Sequence, residues 1–277
     1  MQLRAASGLS FKNGEVMSLD WGIPTLIELP GQEESARLCR ELGFSFVELN
    51  MNLPEYQQLD VPLLQSVAER YSIYFTIHLD ENLDMCDFNP RVAEAYMQTM
   101  LDAVRSAKEL GVPVLNMHLS SGVYFTLPDK KAYLYDMNRE HFLERIREAI
   151  AMCEETAEGA VTVCIENTGV FALPFLKEAV ELFLQSPSFG LTFDIGHDHS
   201  AGGVDKALIM EHEDRLRHFH IHDALSRKNH MMLGTGELDL AWYIALAERN
   251  NCRSVLEVKT VQALRESAEW LRKHKFI

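Results

Sequence analysis

Short apolar runs, each closed by a polar residue, recur along this chain at intervals of about 35 residues, and that period restricts the fold more than any other feature. The runs are Phe44 to Glu48, Ile73 to His78, Val112 to His118, Val161 to Glu166, Leu191 to Asp194, His218 to His222 and Ser254 to Glu257. Each is short and boundary-flanked, as buried parallel strands are. Between them lie helix-period segments. The clearest begins with Asn89 as N-cap and Pro90 at the first helical position, carries Val92, Ala95, Tyr96, Met100 and Ala103 on one face, and stops at Gly111 with Pro113 just beyond. Glu-Leu-Gly occurs at 41–43 and again at 109–111, a spacing of two units, each time closing a helix and opening a strand. Glycine suits both places because the residue after a helix often takes the left-handed conformation that a Cβ disfavours.

With an earlier strand around Met17 to Ile23 and a last helix from Gln262 to Lys273, the 277 residues divide into eight strand-plus-helix units. Alternating β and α at this spacing implies parallel strands, and eight units predict an α/β fold: a single (β/α)8 TIM barrel domain spanning residues 1–277. A doubly wound sheet is disfavoured, since no G-x-G-x-x-G loop follows the first strand.

A barrel of this kind places its active site at the C-terminal strand ends, and here those ends are rich in metal-ligand types. The second strand ends at Glu48 and Asn50, the third at His78, the fourth at His118, the fifth at Glu166, the sixth at Asp194 with His197 just after, the seventh at His220, and the eighth at Glu257. So many carboxylates in one mouth resist ionising together unless a cation neutralises them, which predicts a divalent metal. Even spacing puts His218, His220 and His222 on one face. His220 is then the expected ligand, His218 a deeper structural residue and His222 a rim residue. Cys164 should pack one layer below Glu166. The pairs Gly202–Gly203 and Gly234–Gly236 read as turn geometry rather than a phosphate cradle, and Met51, Met85 and Met231 fall in rim loops.

Charge and cysteine usage narrow the partners. Twenty-six basic residues against forty-one acidic ones give a formal charge of −15, which argues against a phosphate backbone or an anionic membrane. The five cysteines are widely spaced without a CxxC, so neither a disulfide framework nor a zinc ribbon is expected. No secretory signal or long apolar run is visible, and a cytoplasmic location is the expectation.

The segments Val-Cys-Ile-Glu-Asn at 163–167, Asp-Ile-Gly-His at 194–197, Phe-His-Ile-His-Asp at 219–223, Leu-Gly-Thr-Gly at 233–236 and Leu-Glu-Val at 256–258, in this order, resemble the xylose-isomerase-like TIM barrel superfamily. That superfamily includes sugar and sugar-phosphate isomerases and epimerases, inosose dehydratase and endonuclease IV. The resemblance implies that Glu166, Asp194, His220 and Glu257 hold a divalent metal (Mn, Co, Mg or Zn). His78 and His118 match the histidines of a second zinc in endonuclease IV, with Glu166 bridging. His197 and His230 match two ligands of its third zinc, whose remaining aspartate is replaced here by Lys228, so that Asp223 or another carboxylate would have to substitute.

The activity these residues imply is isomerisation or epimerisation of a small sugar or sugar phosphate. Glu166 and Glu257 would be the catalytic pair, one removing a proton beside the carbonyl and the other returning it, with the metal as Lewis acid. His197 would position substrate, with His78, His118, Glu48 and His230 also contacting it. Two other activities compete: a zinc phosphodiesterase resembling endonuclease IV (an AP endonuclease), disfavoured by Lys228 and the acidic charge, and a lyase resembling inosose dehydratase. A small-molecule sugar is the expected partner, nucleic acid and membrane are not, and a homo-oligomer is left open.

Overall fold

The computed structural model describes residues 19–277. Eight parallel strands close on themselves: β1 (Asp20–Pro24), β2 (Phe46–Asn50), β3 (Tyr74–His78), β4 (Val114–His118), β5 (Thr162–Glu166), β6 (Phe189–Asp194), β7 (Leu216–Ile221) and β8 (Arg253–Leu256). Each pairs with its neighbours in chain order, and β1 pairs with both β2 and β8. The principal helices packed outside are α1 (Gln32–Leu42), α2 (Val61–Tyr71), α3 (Pro90–Leu110), α4 (Arg139–Ala157), α5 (Pro174–Phe183), α6 (Lys206–Glu211), α7 (Leu240–Arg249) and α8 (Val261–Lys273). The barrel expected from the period is the one formed. The part of the expected first strand before Leu19 lies outside the described residues. No helix among those residues is long and apolar enough to cross a membrane.

The strands form where the sequence is apolar and β-branched, and the helices begin and end at capping residues. Asn89 Oδ1 accepts from the Arg91 amide at 3.1 Å, and Gly43 and Gly111 close α1 and α3 with φ of 82° and 75°, as the repeated Glu-Leu-Gly requires. One expectation about α3 is corrected. Its buried face is Ala93, Met97, Met100, Leu101, Ala103, Val104 and Ala107. Val92 and Tyr96 instead line a shallow recess at the mouth, and Ala95 is exposed.

Pairing register sets the level of the strand ends. His118 lies opposite Glu166 between β4 and β5, and Asp194 opposite His220 between β6 and β7, so these side chains reach the same height. Two hairpins rise from the loops at this end. Tyr124–Thr126 pairs with Lys131–Tyr133 after β4, and Asp223–Leu225 with Lys228–Met231 after β7. The barrel interior is polar well below the mouth. Arg253 Nε donates to Tyr74 Oη at 3.1 Å, and Tyr74 donates to Asp20. Above them Thr76 donates to Glu48 at 2.9 Å.

A candidate metal centre at the mouth of the barrel

Glu166, Asp194, His220 and Glu257 converge at the C-terminal end, and all four are buried. His220 Nδ1 lies 3.3 Å from Glu166 Oε1, 3.8 Å from Asp194 Oδ2 and 3.3 Å from Glu257 Oε2. Three carboxylates thus crowd one nitrogen of one imidazole. His197, on the short helix Ile195–Ser200 that follows β6, brings Nδ1 to 3.4 Å from Glu166 and 3.6 Å from Asp194.

Below this cluster, Glu48 occupies a layer of its own. Its Oε2 accepts from Thr76 at 2.9 Å and from His218 Nε2 at 2.8 Å. Its Oε1 lies 2.9 Å from His220 Nε2, close enough for an ion pair but not aligned for a hydrogen bond. Expected to contact substrate, Glu48 is only 2% exposed and faces the underside of His220. The reason is parity along β2: Asn50 is the strand end, and Glu48 points inward one layer deeper. A carboxylate behind a histidine sets which ring nitrogen carries the proton and leaves the other free to ligate. His218 sits beside Glu48, fully buried, as the deeper structural residue expected.

His78 and His118 flank the other oxygen of Glu166. His78 Nε2 is 3.3 Å and His118 Nε2 3.4 Å from Glu166 Oε2, to which Asn116 Nδ2 also donates. The Leu79 carbonyl, 2.7 Å from His78 Nδ1, can only accept, so Nδ1 carries a proton. His78 Nε2 then either bears a second proton or directs a lone pair at a carboxylate, a repulsive arrangement that a cation between them relieves.

The ionisation of the cluster reports the same need. Burial opposes a charge on His220, yet Glu166, Glu48 and Glu257 overcome it and raise its pKa well above the ordinary histidine value. Burial likewise opposes charge on His78 and His197. It is outweighed for His78 by Glu166 and for His197 by Asp194 and Glu166, so that both are raised to about 9. Glu166 and Glu257 are held well below the carboxylate range, against burial, by His220 and their other cationic neighbours. Burial, helped by His222 and Lys259 and only partly offset by Glu257 and Asp194, drives His230 down to about 4. Without a cation, protons on buried imidazoles are the main countercharge, and Lys259 is the one ammonium bonded to the cluster among the described residues.

The donor set fits a divalent metal. His220 Nδ1, His197 Nδ1, His118 Nε2 and Glu257 Oε2 are buried atoms without a hydrogen-bond partner among the described residues, and all belong to this cluster. Glu166, Asp194 and His197 could hold one ion, and so could His78, Glu166 and His220, each trio offering ligand atoms within 4.8 Å of one another. Carboxylate and imidazole donors suit Mn, Co, Mg and Zn.

Several further residues bear out, differ from or add to what spacing suggested. His222, expected at the rim, is fully buried against Asp194. Asp223 cannot replace a missing metal ligand, because its carboxylate is occupied by the backbone N–H groups of Ala224, Gly234, Gly236 and Leu238. This also explains the glycines after β7: their amides are turned to Asp223 rather than outward, and a Cβ on Gly236 would overlap Asp223 and the Ala224 carbonyl. Gly202 and Gly203 donate to the carbonyls of His199 and Asp198, a turn as expected. Lys228 is exposed on its hairpin, whereas Lys259 Nζ, which no motif singled out, reaches Glu257 Oε1 at 2.7 Å. Met51 and Met85 are core residues, and Met231 is half-buried. His230 stands beside Glu257, its Nδ1 3.8 Å from Oε2.

Fold and site together define a (β/α)8 barrel with a histidine and carboxylate mouth. The chain matches the xylose isomerase-like TIM barrel family over residues 36–274 and belongs to that family. Among solved structures it is similar to a D-tagatose 3-epimerase-like protein, with TM-score 0.74, 18% identity, and coverage of 93% of this chain and 97% of the other. It is similar to the 3-keto-D-glucoside 4-epimerase of E. coli in its apo form, with TM-score 0.71, 16% identity, and coverage of 92% and 99%. A third is a Thermus thermophilus protein soaked with zinc chloride, with TM-score 0.67, 22% identity, and coverage of 93% and 99%.

Proposed function

We propose that this chain works as one barrel domain and is a metal-dependent isomerase or epimerase of a small sugar or sugar phosphate. The observation that carries this is the pairing of two buried glutamates, Glu166 and Glu257, each with one oxygen 3.3 Å from the same nitrogen of His220. They arrive from β5 and from just past β8, with β6 and β7 between them, and so approach a shared point from different sides. Glu166, Asp194, His220 and Glu257 would hold a divalent cation, whose contribution when bound is Lewis-acid polarisation of a substrate carbonyl. One glutamate takes the proton from the carbon beside the carbonyl, and the other returns a proton to the opposite face. Lys259 grips Oε1 of Glu257 and leaves Oε2 directed inward. His197 and His230 stand at the edge of the cluster, half-buried, where they can donate to or accept from substrate hydroxyls. The relatives named as a tagatose-epimerase-like protein and a keto-glucoside epimerase support this substrate class.

The test is solvent deuterium incorporation into a panel of ketoses and ketose phosphates, with manganese or cobalt added. Wild-type protein should exchange one carbon-bound hydrogen, and Glu166→Gln and Glu257→Gln should each abolish exchange. Retained exchange in both variants rejects the two-glutamate mechanism.

A second reading, zinc-dependent phosphodiester hydrolysis, is favoured by His78 and His118 at the outer oxygen of Glu166, where a second ion would sit. Metal counting separates the two. One exchangeable ion per chain fits the isomerase, and two or three tightly held zincs with turnover of an abasic-site duplex fit the hydrolase.

A further inference from the structure

His222 lies one residue beyond β7, fully buried, among groups that could be taken for a further metal site, since His222, His230 and Glu257 offer ligand atoms within 4.8 Å of one another. The hydrogen bonds of its ring say otherwise. The backbone N–H of His230 donates to His222 Nδ1 at 2.7 Å, so that nitrogen presents its lone pair to the amide and carries no proton. The ring proton is therefore on Nε2, which sits 3.0 Å from both oxygens of Asp194. Both nitrogens are engaged, and neither is free to ligate.

Asp194 is fixed from several sides. Its Oδ1 also accepts from the His197 amide at 2.6 Å, and its backbone N–H and carbonyl bond the Asn167 side chain at 2.8 and 2.9 Å. Oδ2 is left facing the centre, where His197 Nδ1 and His220 Nδ1 stand at 3.6 and 3.8 Å. The place of the His222 ring is itself built. It stacks on His230 with centroids 4.3 Å apart, and a Cβ on Gly196 would overlap it. His230 takes φ of 51°, a left-handed conformation uncommon for a residue with a side chain, and it is the amide of this residue that reaches Nδ1.

We propose that His222 is a positioning residue and not a metal ligand: its Nε2–H holds the Asp194 carboxylate toward the cation site, in a tautomer imposed by the backbone of the hairpin after β7. This rests on the reading that Glu166, Asp194, His220 and Glu257 hold a divalent cation. The hairpin thereby reaches the metal centre through one imidazole, without contributing a ligand from its own backbone.

Asparagine and glutamine separate the two jobs of the ring. In His222→Asn the amide oxygen can take the place of Nδ1 and keep the His230 N–H satisfied, but nothing donates to Asp194. In His222→Gln the amide nitrogen can take the place of Nε2 and keep that donor. The measurement is the Kd for Mn2+, read from the EPR signal of free ion, together with the Tm of the metal-free proteins. H222N should bind Mn2+ at least ~10-fold more weakly than wild type, the lower end of what loss of a ligand-orienting partner costs, with H222Q within ~3-fold of wild type. Gly196→Ala keeps the imidazole but displaces it from Asp194, and should weaken Mn2+ as H222N does, providing an independent route if H222N fails to fold. Equal affinity in wild type, H222N and G196A, or equal losses in H222N and H222Q, would overturn the proposal and leave the cation site standing. Absence of Mn2+ binding by the wild-type protein would overturn both.

Discussion

Replacing Glu48 by glutamine tests whether the layer beneath the cluster sets the chemistry above it. The substitution keeps the shape and removes one acceptor and the charge. If the amide oxygen stays at the Oε2 position, Thr76 and His218 keep their acceptor and the NH2 group is turned to His220 Nε2. Two donors then face each other, and the Nε2–H loses the acceptor that, with a cation bound, would keep Nδ1 free of a proton and open toward Glu166 and Glu257. If the amide flips, Thr76 and His218 lose their acceptor instead. Breaking a buried ion pair from one side costs about 3–5 kcal/mol. With an unfolding entropy of about 2.1 cal/mol/K per residue, the 277 residues give ~0.6 kcal/mol/K and a Tm loss of ~5–9 °C. Differential scanning calorimetry in the presence of chelator measures that loss, and titration with Mn2+ should show weakened binding. The pH dependence has a definite sign. Burial works against ionised Glu48, but His220 and His218 outweigh it and hold its pKa below the ordinary value. Its stabilising contribution is therefore full above the unfolded carboxylate pKa of ~4.3 and is lost as pH falls through the folded value, so the Tm gap to E48Q should narrow in acid. A variant with wild-type Tm at neutral pH and wild-type Mn2+ affinity would refute the account of Glu48 as the support of His220.

Three other outcomes follow from the same structure. All five cysteines are buried, and burial pushes the thiols of Cys39, Cys153, Cys164 and Cys252 up to about 12, so Ellman's reagent at pH 8 should leave the native chain unlabelled and titrate every thiol in guanidinium. Asp223→Ala strips the acceptor from four backbone amides and should cost ~2–4 kcal/mol, with protease cleavage appearing first between residues 232 and 238; an unchanged digestion pattern would contradict the role assigned to Asp223. Chelation of a bound ion present at ~100 Kd should remove ~2.7 kcal/mol of stability, or ~5 °C, recovered on readdition of Mn2+.

The barrel was legible because its determinants are local. Apolar runs, caps and left-handed glycines such as Gly43 and Gly111 repeat with the unit, and topology follows once strands and helices alternate. The convergence of Glu166, Asp194, His220 and Glu257 followed from the same logic, since a parallel barrel gathers the ends of its strands. What spacing did not show was orientation within the mouth. Glu48 lies two residues before the end of β2, so strand alternation alone could have put it a layer down. His222 required knowing that its ring packs over Gly196, where a side chain would exclude it. The amide-binding role of Asp223, which the resemblance suggested as a substitute ligand, and the presence of Lys259 had no readable signal, because one serves amides up to fifteen residues away and the other answers a carboxylate only after β8 is in place. On α3, Val92 fits the helical period but faces the mouth recess, a choice made by tertiary packing.

Strand β7 and the residue after it carry imidazoles at 218, 220 and 222, and their common parity sets a fixed pitch. Alternate residues on a strand are ~6.6 Å apart, so the histidine that rests on Glu48, the histidine that faces the carboxylates and the histidine that clamps Asp194 are spaced by covalent geometry. Loop length does not enter. An insertion at the Ser226–Arg227 tip of the hairpin would leave the two lower rings untouched and could reach only the uppermost, through the amide of His230. Remodelling what enters this barrel from above is therefore separable from the metal chemistry proposed for it, provided that a lengthened hairpin keeps His230 in place, its amide on His222 and its ring beside Glu257.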